Sequence, residues 1–464
     1  MVTRPAAPGH LLKLLARGAV AGMAVIVLCS YARLLPAGHW QGDEFGMLHA
    51  IQRVGIRYPF DRMVGAEVTG RSPRPLSEIL DWAYMRTAMV VGRPLIPEIL
   101  GLLWFIAVVL AVAIPALRRD GRGVATGLTL LALALMLREP GEAFYWPVGA
   151  CAYVPMIGAV IGATVLLRGP LRSSSDLWRL AALQIVAACS NEIGATVALA
   201  WSGLATALTW RRPVARLPLI VPGIVGAVIC GLTWFGRMQD ASEVWAHTPY
   251  ANATGASLLG ALPILGRIFL NGPALVSGLA PNMWIGSAML LAGVVLFARG
   301  SDNPAPDRRL AFAWGGAMIL GAWLSIAAAL RAFGMYCCQR HTTVQETLVL
   351  LSVATLAGLL PLALSRTRAV LLACGMAFLL NVRADGLRQS AAAIPAIEQV
   401  RAQNWAALKS PGSTVRFIAS HGTPVANGNG LHEGIFHRGD PSTPWDAQAI
   451  LNGFGKDMVT VVVP

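Results

Sequence analysis

Stretches of about twenty mainly apolar residues recur from the first 40 residues to about residue 382, the length an α-helix needs to cross the hydrocarbon core of a bilayer. The runs are continuous and lack the two-residue alternation of outer-membrane strands, so each must satisfy its backbone polar groups within itself. With 55% hydrophobic and 13% charged residues in 464, and a mean hydropathy of +0.59, an ordinary soluble globule is excluded. The sequence reads as an all-α polytopic membrane protein.

The net charge of +14 does not call for a nucleic-acid partner, because of where it sits. Arg118, Arg119 and Arg122; Arg168, Arg172 and Arg179; Arg211, Arg212 and Arg216; Arg299, Arg308 and Arg309; and Arg366 with Arg368 fall in every second short loop. This is the positive-inside pattern. Placing those loops and the N-terminus in the cytoplasm gives about eleven spans, near 14–35, 95–117, 123–137, 148–167, 178–191, 193–209, 217–235, 283–298, 310–330, 344–365 and 369–382. The C-terminus then lies outside. Lys13 and Arg17 precede an apolar run without a small-residue cleavage site, which reads as an anchor rather than a cleaved signal. The seven cysteines show no zinc or CxxC spacing, and Cys337-Cys338 reads as two free thiols.

Residues 1–382 form the transmembrane domain and 383–464 a small extracytoplasmic domain. The first outer segment, 36–94, has helix-like spacing over 43–54 and 76–91 with a turn at 70–75, predicting two amphipathic helices on the outer surface. A second outer segment, 236–282, carries Trp245 and Tyr250 and suits the interface. In the tail, 389–409 is helix-like, and 414–418 and 458–463 read as strands of an α/β appendix.

Under this topology the carboxylates beside the spans gather on the outer side: Asp43 and Glu44, Glu139 and Glu142, and Glu192. Ionisable groups at such depth are costly and point to function. Asp43 and Glu44 either complement a helix N-terminus or serve chemistry, with Asp43 as general base toward an acceptor hydroxyl. Arg71, Arg74 and Arg93 stand on the outer side, where a positive-inside chain has least reason to place cations. They either fork onto phosphate oxygens or snorkel and pair with Glu78 and Asp81. Arg340 and His341 form a second cationic candidate. Tyr145, Trp146 and Tyr153, in a run broken by Pro140, Gly141 and Pro147, offer ring faces for a sugar or an interfacial belt. Asn191 is a good N-cap type, while Glu192 either caps the same helix or points into the cleft.

The acidic pair after the first span, Gly92-Arg93 in the first outer loop, Tyr145-Trp146-x-x-Gly149-x-x-x-Tyr153-x-Pro155 and Asn191-Glu192 occur in an order and sidedness that resemble the GT-C superfamily of integral-membrane glycosyltransferases. More narrowly, they are similar to a bacterial branch of polytopic proteins with a small C-terminal tail. The resemblance implies an outward-facing site in the bacterial inner membrane, a polyprenyl-phosphate sugar donor, and a glycan, lipid or protein acceptor. It also implies an acid in the first outer loop, here Asp43 beside Glu44, as base or metal contact. This chain has Asp-Glu-Phe where that branch more often shows Asp-Asp-Tyr, so a divalent cation such as Mg or Mn would rest on carboxylates and waters. The alternatives are a transporter or flippase of lipid-linked saccharides, a polysaccharide polymerase or ligase, and a scaffold that displays the tail.

Overall fold

The computed structural model describes residues 8–463 apart from 65–72, 138–139, 170, 172, 212–215, 241–253, 271–306, 334–338, 360–364, 421, 427 and 429–430. Its described residues are mostly helical. In chain order the helices are α1 (Pro8–Ala32), α2 (Gly42–Val54), α3 (Tyr58–Val64), α4 (Pro75–Val91), α5 (Ile96–Leu117), α6 (Gly121–Leu137), α7 (Pro147–Leu167) and α8 (Ser174–Ser190). They continue as α9 (Glu192–Thr209), α10 (Leu217–Asp240), α11 (Thr254–Leu270), α12 (Arg308–Phe333), α13 (Gln339–Ala357), α14 (Ser365–Lys409) and α15 (Trp445–Phe454). Three short strands, β1 (Thr414–Ile418), β2 (Gly434–His437) and β3 (Met458–Val462), form one sheet in the order β1-β3-β2. β1 runs parallel to β3, and β2 antiparallel to it.

Six described helical segments are long and apolar enough to cross a membrane: Gly18–Ala37, Ile96–Leu117, Pro147–Leu167, Leu217–Phe235, Arg308–Arg331 and Val370–Lys409. The eleven spans read from the sequence are therefore not matched one for one. The apolar α6 has 17 residues, and α8 and α9 have 17 and 18. In α13 the apolar run is interrupted by buried polar groups, among them His341, Gln345 and Glu346. The expected span at 283–298, most of the segment 236–282, and Cys337-Cys338 lie outside the described residues. The expected last span and tail helix are a single helix, α14, whose 45 residues extend about 68 Å at 1.5 Å per residue.

α7 is buried along its whole length and packs against α4, α5, α6, α8 and α13. Small residues let the backbones close up: a Cβ on Gly158 would stand 2.6 Å from the Ala107 Cα of α5, and one on Gly162 2.2 Å from the Leu110 carbonyl oxygen. One end of this bundle is basic. There Arg118 and Arg179 both hold Asp176, and Arg168 donates to Thr126.

The other end holds the two helices expected over 43–54 and 76–91, which form at Gly42–Val54 and Pro75–Val91. α2 starts on a capping box between Gln41 and Glu44. α4 starts with Pro75 in its first turn and stops at left-handed Gly92. The amphipathicity of α4 is reversed from that of a water-soluble helix. Ser77, Glu78 and Asp81 face inward with Tyr84 and Met85, while Ile79, Val90 and Val91 are exposed. With exposed Ile56 and Phe60 they give this end an apolar outer rim suited to lipid.

The sheet follows α14 after four residues and is locked to the bundle. Trp405 donates to the Gly92 carbonyl, and Arg401 to those of Pro36 and Gly38. α15 lies on α2, where Gly42 is needed: a Cβ there would stand 2.6 Å from Trp445 Cη2 and 2.7 Å from Asp446 Cβ.

Candidate functional site

Glu44 is fully buried at the start of α2. Its Oε2 accepts from the Gln41 amide at 2.8 Å and from Trp146 Nε1 at 2.9 Å, which ties α2 to the start of α7. Burial pushes the Glu44 pKa up to about 8; the donors from Trp146 and Gln41 offset part of that rise, and Asp43 adds to it. At neutral pH this acid carries its proton.

On the other side of Trp146, the Arg340 guanidinium lies over the indole, 4.8 Å from Cζ to the ring centroid. The Arg340 amide donates to Glu142 Oε2 at 3.2 Å, and Nη1 stands 3.7 Å from that oxygen. The Glu142 carboxylate is thus a counter-charge to the guanidinium at a separation beyond hydrogen-bond length, and the Tyr153 hydroxyl is a further polar neighbour of that guanidinium. His341 meets the Tyr153 ring edge-on at 5.9 Å, and the Tyr153 hydroxyl lies in the field of Arg74 and Arg340.

The set closes on Glu192, the first residue of α9. Asn191 caps that helix by accepting from the Gly194 amide at 2.9 Å, the role its residue type predicts, and its Nδ2 donates to the Ala152 carbonyl. Glu192 is left to point into the cluster, where both oxygens accept from Arg74 at 2.8 Å. Burial alone would lower the Arg74 pKa; Glu192 outweighs it and holds the guanidinium charged.

A second polar seam lies beneath α4. Ser77 Oγ donates to Asp81 Oδ2 at 3.2 Å, Arg62 Nε donates to Glu78 at 3.3 Å, and Trp40 Nε1 donates to the Tyr84 hydroxyl at 2.7 Å. Cys151 of α7 touches Asp81. Burial, reinforced by Glu78, raises the Asp81 carboxyl well above the ordinary carboxylate range. Sequence reasoning named Glu78 and Asp81 only as partners for surface arginines. Their spacing with Ser77, three and four residues apart on one helical face, is the signal for a buried polar stripe.

Asp43 differs from its neighbour. On a helix of 3.6 residues per turn it points about 100° away from Glu44. It is half-buried, and among the described residues nothing donates to its carboxylate or pairs with it.

Glu44, Glu142, Trp146, Tyr153, Glu192, Arg74, Arg340 and His341 thus come together, although drawn from five places in the chain. No protein-family model, curated protein or solved structure matches this chain. Its functional reading rests on the geometry. Arg93 does not join the cluster; it pairs with Glu98 at 2.6 Å on an exposed surface. Tyr145 is buried structure, its hydroxyl donating to the Tyr31 carbonyl at 2.7 Å and its ring edge-on to Trp104. Arg71 and Glu139 lie outside the described residues. Among the described residues no three His, Cys, Asp or Glu side chains converge to hold a metal.

Proposed function

We propose that this protein is a membrane glycosyltransferase that moves a sugar from a polyprenyl-phosphate donor to an acceptor at the periplasmic face of a bacterial inner membrane. In this reading the chain crosses about eleven times, with its N-terminus cytoplasmic and its C-terminus periplasmic. The basic end of the bundle supports that orientation by the positive-inside rule.

One observation carries the reading: the Glu44–Trp146–Arg340 run of contacts ties the helix that bears Asp43, a carboxylate without a partner among the described residues, to the Arg340 guanidinium, which stands 3.7 Å from Glu142. Asp43 takes the proton of the acceptor hydroxyl as its oxygen bonds to the anomeric carbon. The bond from that carbon to the lipid phosphate breaks, and the phosphate leaves with the electron pair. Arg340 stabilises the departing charge, the larger share of the rate effect. Arg74, saturated by Glu192, holds the wall of the site, and the buried rings of Trp146 and Tyr153 back it, the first beneath Arg340 and the second against His341. Protonated Glu44 is a positioning residue that fixes α2 and Trp146.

The test is transfer from a polyprenyl-phosphate sugar by the purified protein in lipid vesicles. Asp43→Asn abolishes transfer while the protein stays inserted and folded. Full activity in that variant refutes the assignment.

A further inference from the structure

A cleft of about 640 Å³ opens between the last turns of α2, the end of α14 and the end of α15, on the flank of α2 that meets the tail domain. Its polar lining is His49, Gln52, Arg53, Lys409, Ser410, Asn452 and Lys456. Among the described residues no carboxylate lines it.

Three features define what such a cleft takes. The first is positive charge without a carboxylate among the described lining residues. Lys456 is only 3% exposed, and its Nζ donates to the carbonyls of Ser410 at 2.5 Å and Gly412 at 2.9 Å. Those carbonyls satisfy its hydrogen bonds without neutralising it. Asp457, the adjacent acid, is held by Arg438 at 2.5 Å. Among the described residues no acid pairs with Lys456, and a buried cation so placed raises the potential of the cleft above it. Lys409 adds a second charge at the rim, its Nζ 5.7 Å from the Trp405 ring centroid and 3.3 Å from the Gly92 carbonyl.

The second feature is the pair of amides, Gln52 and Asn452, donors and acceptors of the kind that read hydroxyl groups. The third is that the most exposed part of the lining is polar. The exposed lining residues are Gln52, Arg53, Lys409, Ser410 and Gly455; His49, Asn452 and Phe454 are half-buried, and Leu408 is buried. A lipid headgroup arrives with its chains, and the exposed apolar residues Ile56, Phe60 and Ile79 do not line the cleft.

We propose that the cleft binds an acidic oligosaccharide, and that this is the acceptor presented to Asp43. Its role as acceptor rests on the glycosyl-transfer reading; the binding itself does not. Asp43 and Arg53 are ten residues apart on one helix, about 15 Å along its axis, within the span of a short saccharide laid along α2.

The experiment uses the full-length protein in nanodiscs of neutral lipid, with hexagalacturonate as the acidic probe and maltohexaose as the neutral one, and no donor. Hexagalacturonate binds, more weakly as salt rises, and maltohexaose does not. The double variant Arg53→Glu with Lys409→Glu loses at least about tenfold in affinity, the scale of one charge-assisted contact. Lys409→Arg, which keeps the charge, binds as the parent does. Asp43→Asn also binds normally; if the parent protein, given the polyprenyl-phosphate sugar in a separate assay, binds hexagalacturonate but transfers nothing, the enzymatic reading is overturned and the cleft stands. Absence of hexagalacturonate binding, equal binding of maltohexaose, or unchanged affinity in the double variant overturns the proposal. So does adsorption of the protein to phosphatidylglycerol vesicles through these residues without saccharide binding.

Discussion

Replacing Glu44 with glutamine tests the state of the buried acid directly. A carboxyl titrating near 4.5 when unfolded and near 8 when folded keeps its proton in the native state at pH values where the unfolded chain has lost it. The native state then binds more protons, so stability falls as pH rises from the unfolded pKa to the folded one. At pH 7 the interval is 7 minus 4.5, or 2.5 units, and the penalty is about 3 kcal/mol; above pH 8 it levels off at about 5 kcal/mol. Glutamine is a neutral isostere. Its carbonyl oxygen can accept from Gln41 and Trp146 where Oε2 does now, and its NH2 replaces Oε1, which makes only a 3.4 Å contact with the Val148 amide. Glu44→Gln should therefore match the parent near pH 4.5 and exceed it by a growing margin up to pH 8. Chemical unfolding in detergent micelles at pH 5, 7 and 9 reads this. Parallel pH profiles for the two proteins, or a Glu44→Gln variant less stable at pH 7, would refute the argument.

Two further perturbations address packing and pairing. Arg74→Ala and Glu192→Ala should each destabilise by about 2–4 kcal/mol, reduced from a fully buried pair because both side chains are about a quarter exposed, and the double variant should lose much less than the sum. A double-mutant cycle with additive losses would show that the bidentate contact is not formed. Gly42→Ala should cost about 1–3 kcal/mol by driving α2 from α15. Limited proteolysis should then cut the tail faster; an unchanged digestion pattern would count against the docking.

Much of this architecture is legible in the residues. Helical periodicity places α2 and α4 within a residue of where they form, and the β-branched runs at 414–418 and 458–462 are strands. The short β2 and α15 carry too little periodicity to stand out, since four residues of strand take their order from β3. Hydropathy alone does not number the spans, because α8 and α9, of 17 and 18 residues, pack as a short hairpin about Asn191, and α13 buries its hydroxyls and amides in protein, as Gln345 does against Ser325. The site is legible as a list of residue types but not as a set of contacts. Arg74 finds Glu192, 118 positions away, rather than the nearby Glu78. Arg93 has the same charge and comparable placement, yet Glu98 is within reach on the next helix and claims it. Local pattern cannot separate the two arginines; only the packing of α4 on α7 and α8 does.

α14 has a consequence for how the tail can behave. It continues without a break from the bilayer to within five positions of β1, and Arg401 and Trp405 bolt its upper turns to the ends of the loops around residues 36 and 92. A helix transmits rotation: each residue along it advances the azimuth by 100° and the height by 1.5 Å. The small domain consequently has no swivel of its own. Its bearing over α2 is set by the phase of one rod, and the groove it helps to wall inherits whatever orientation the bundle imposes.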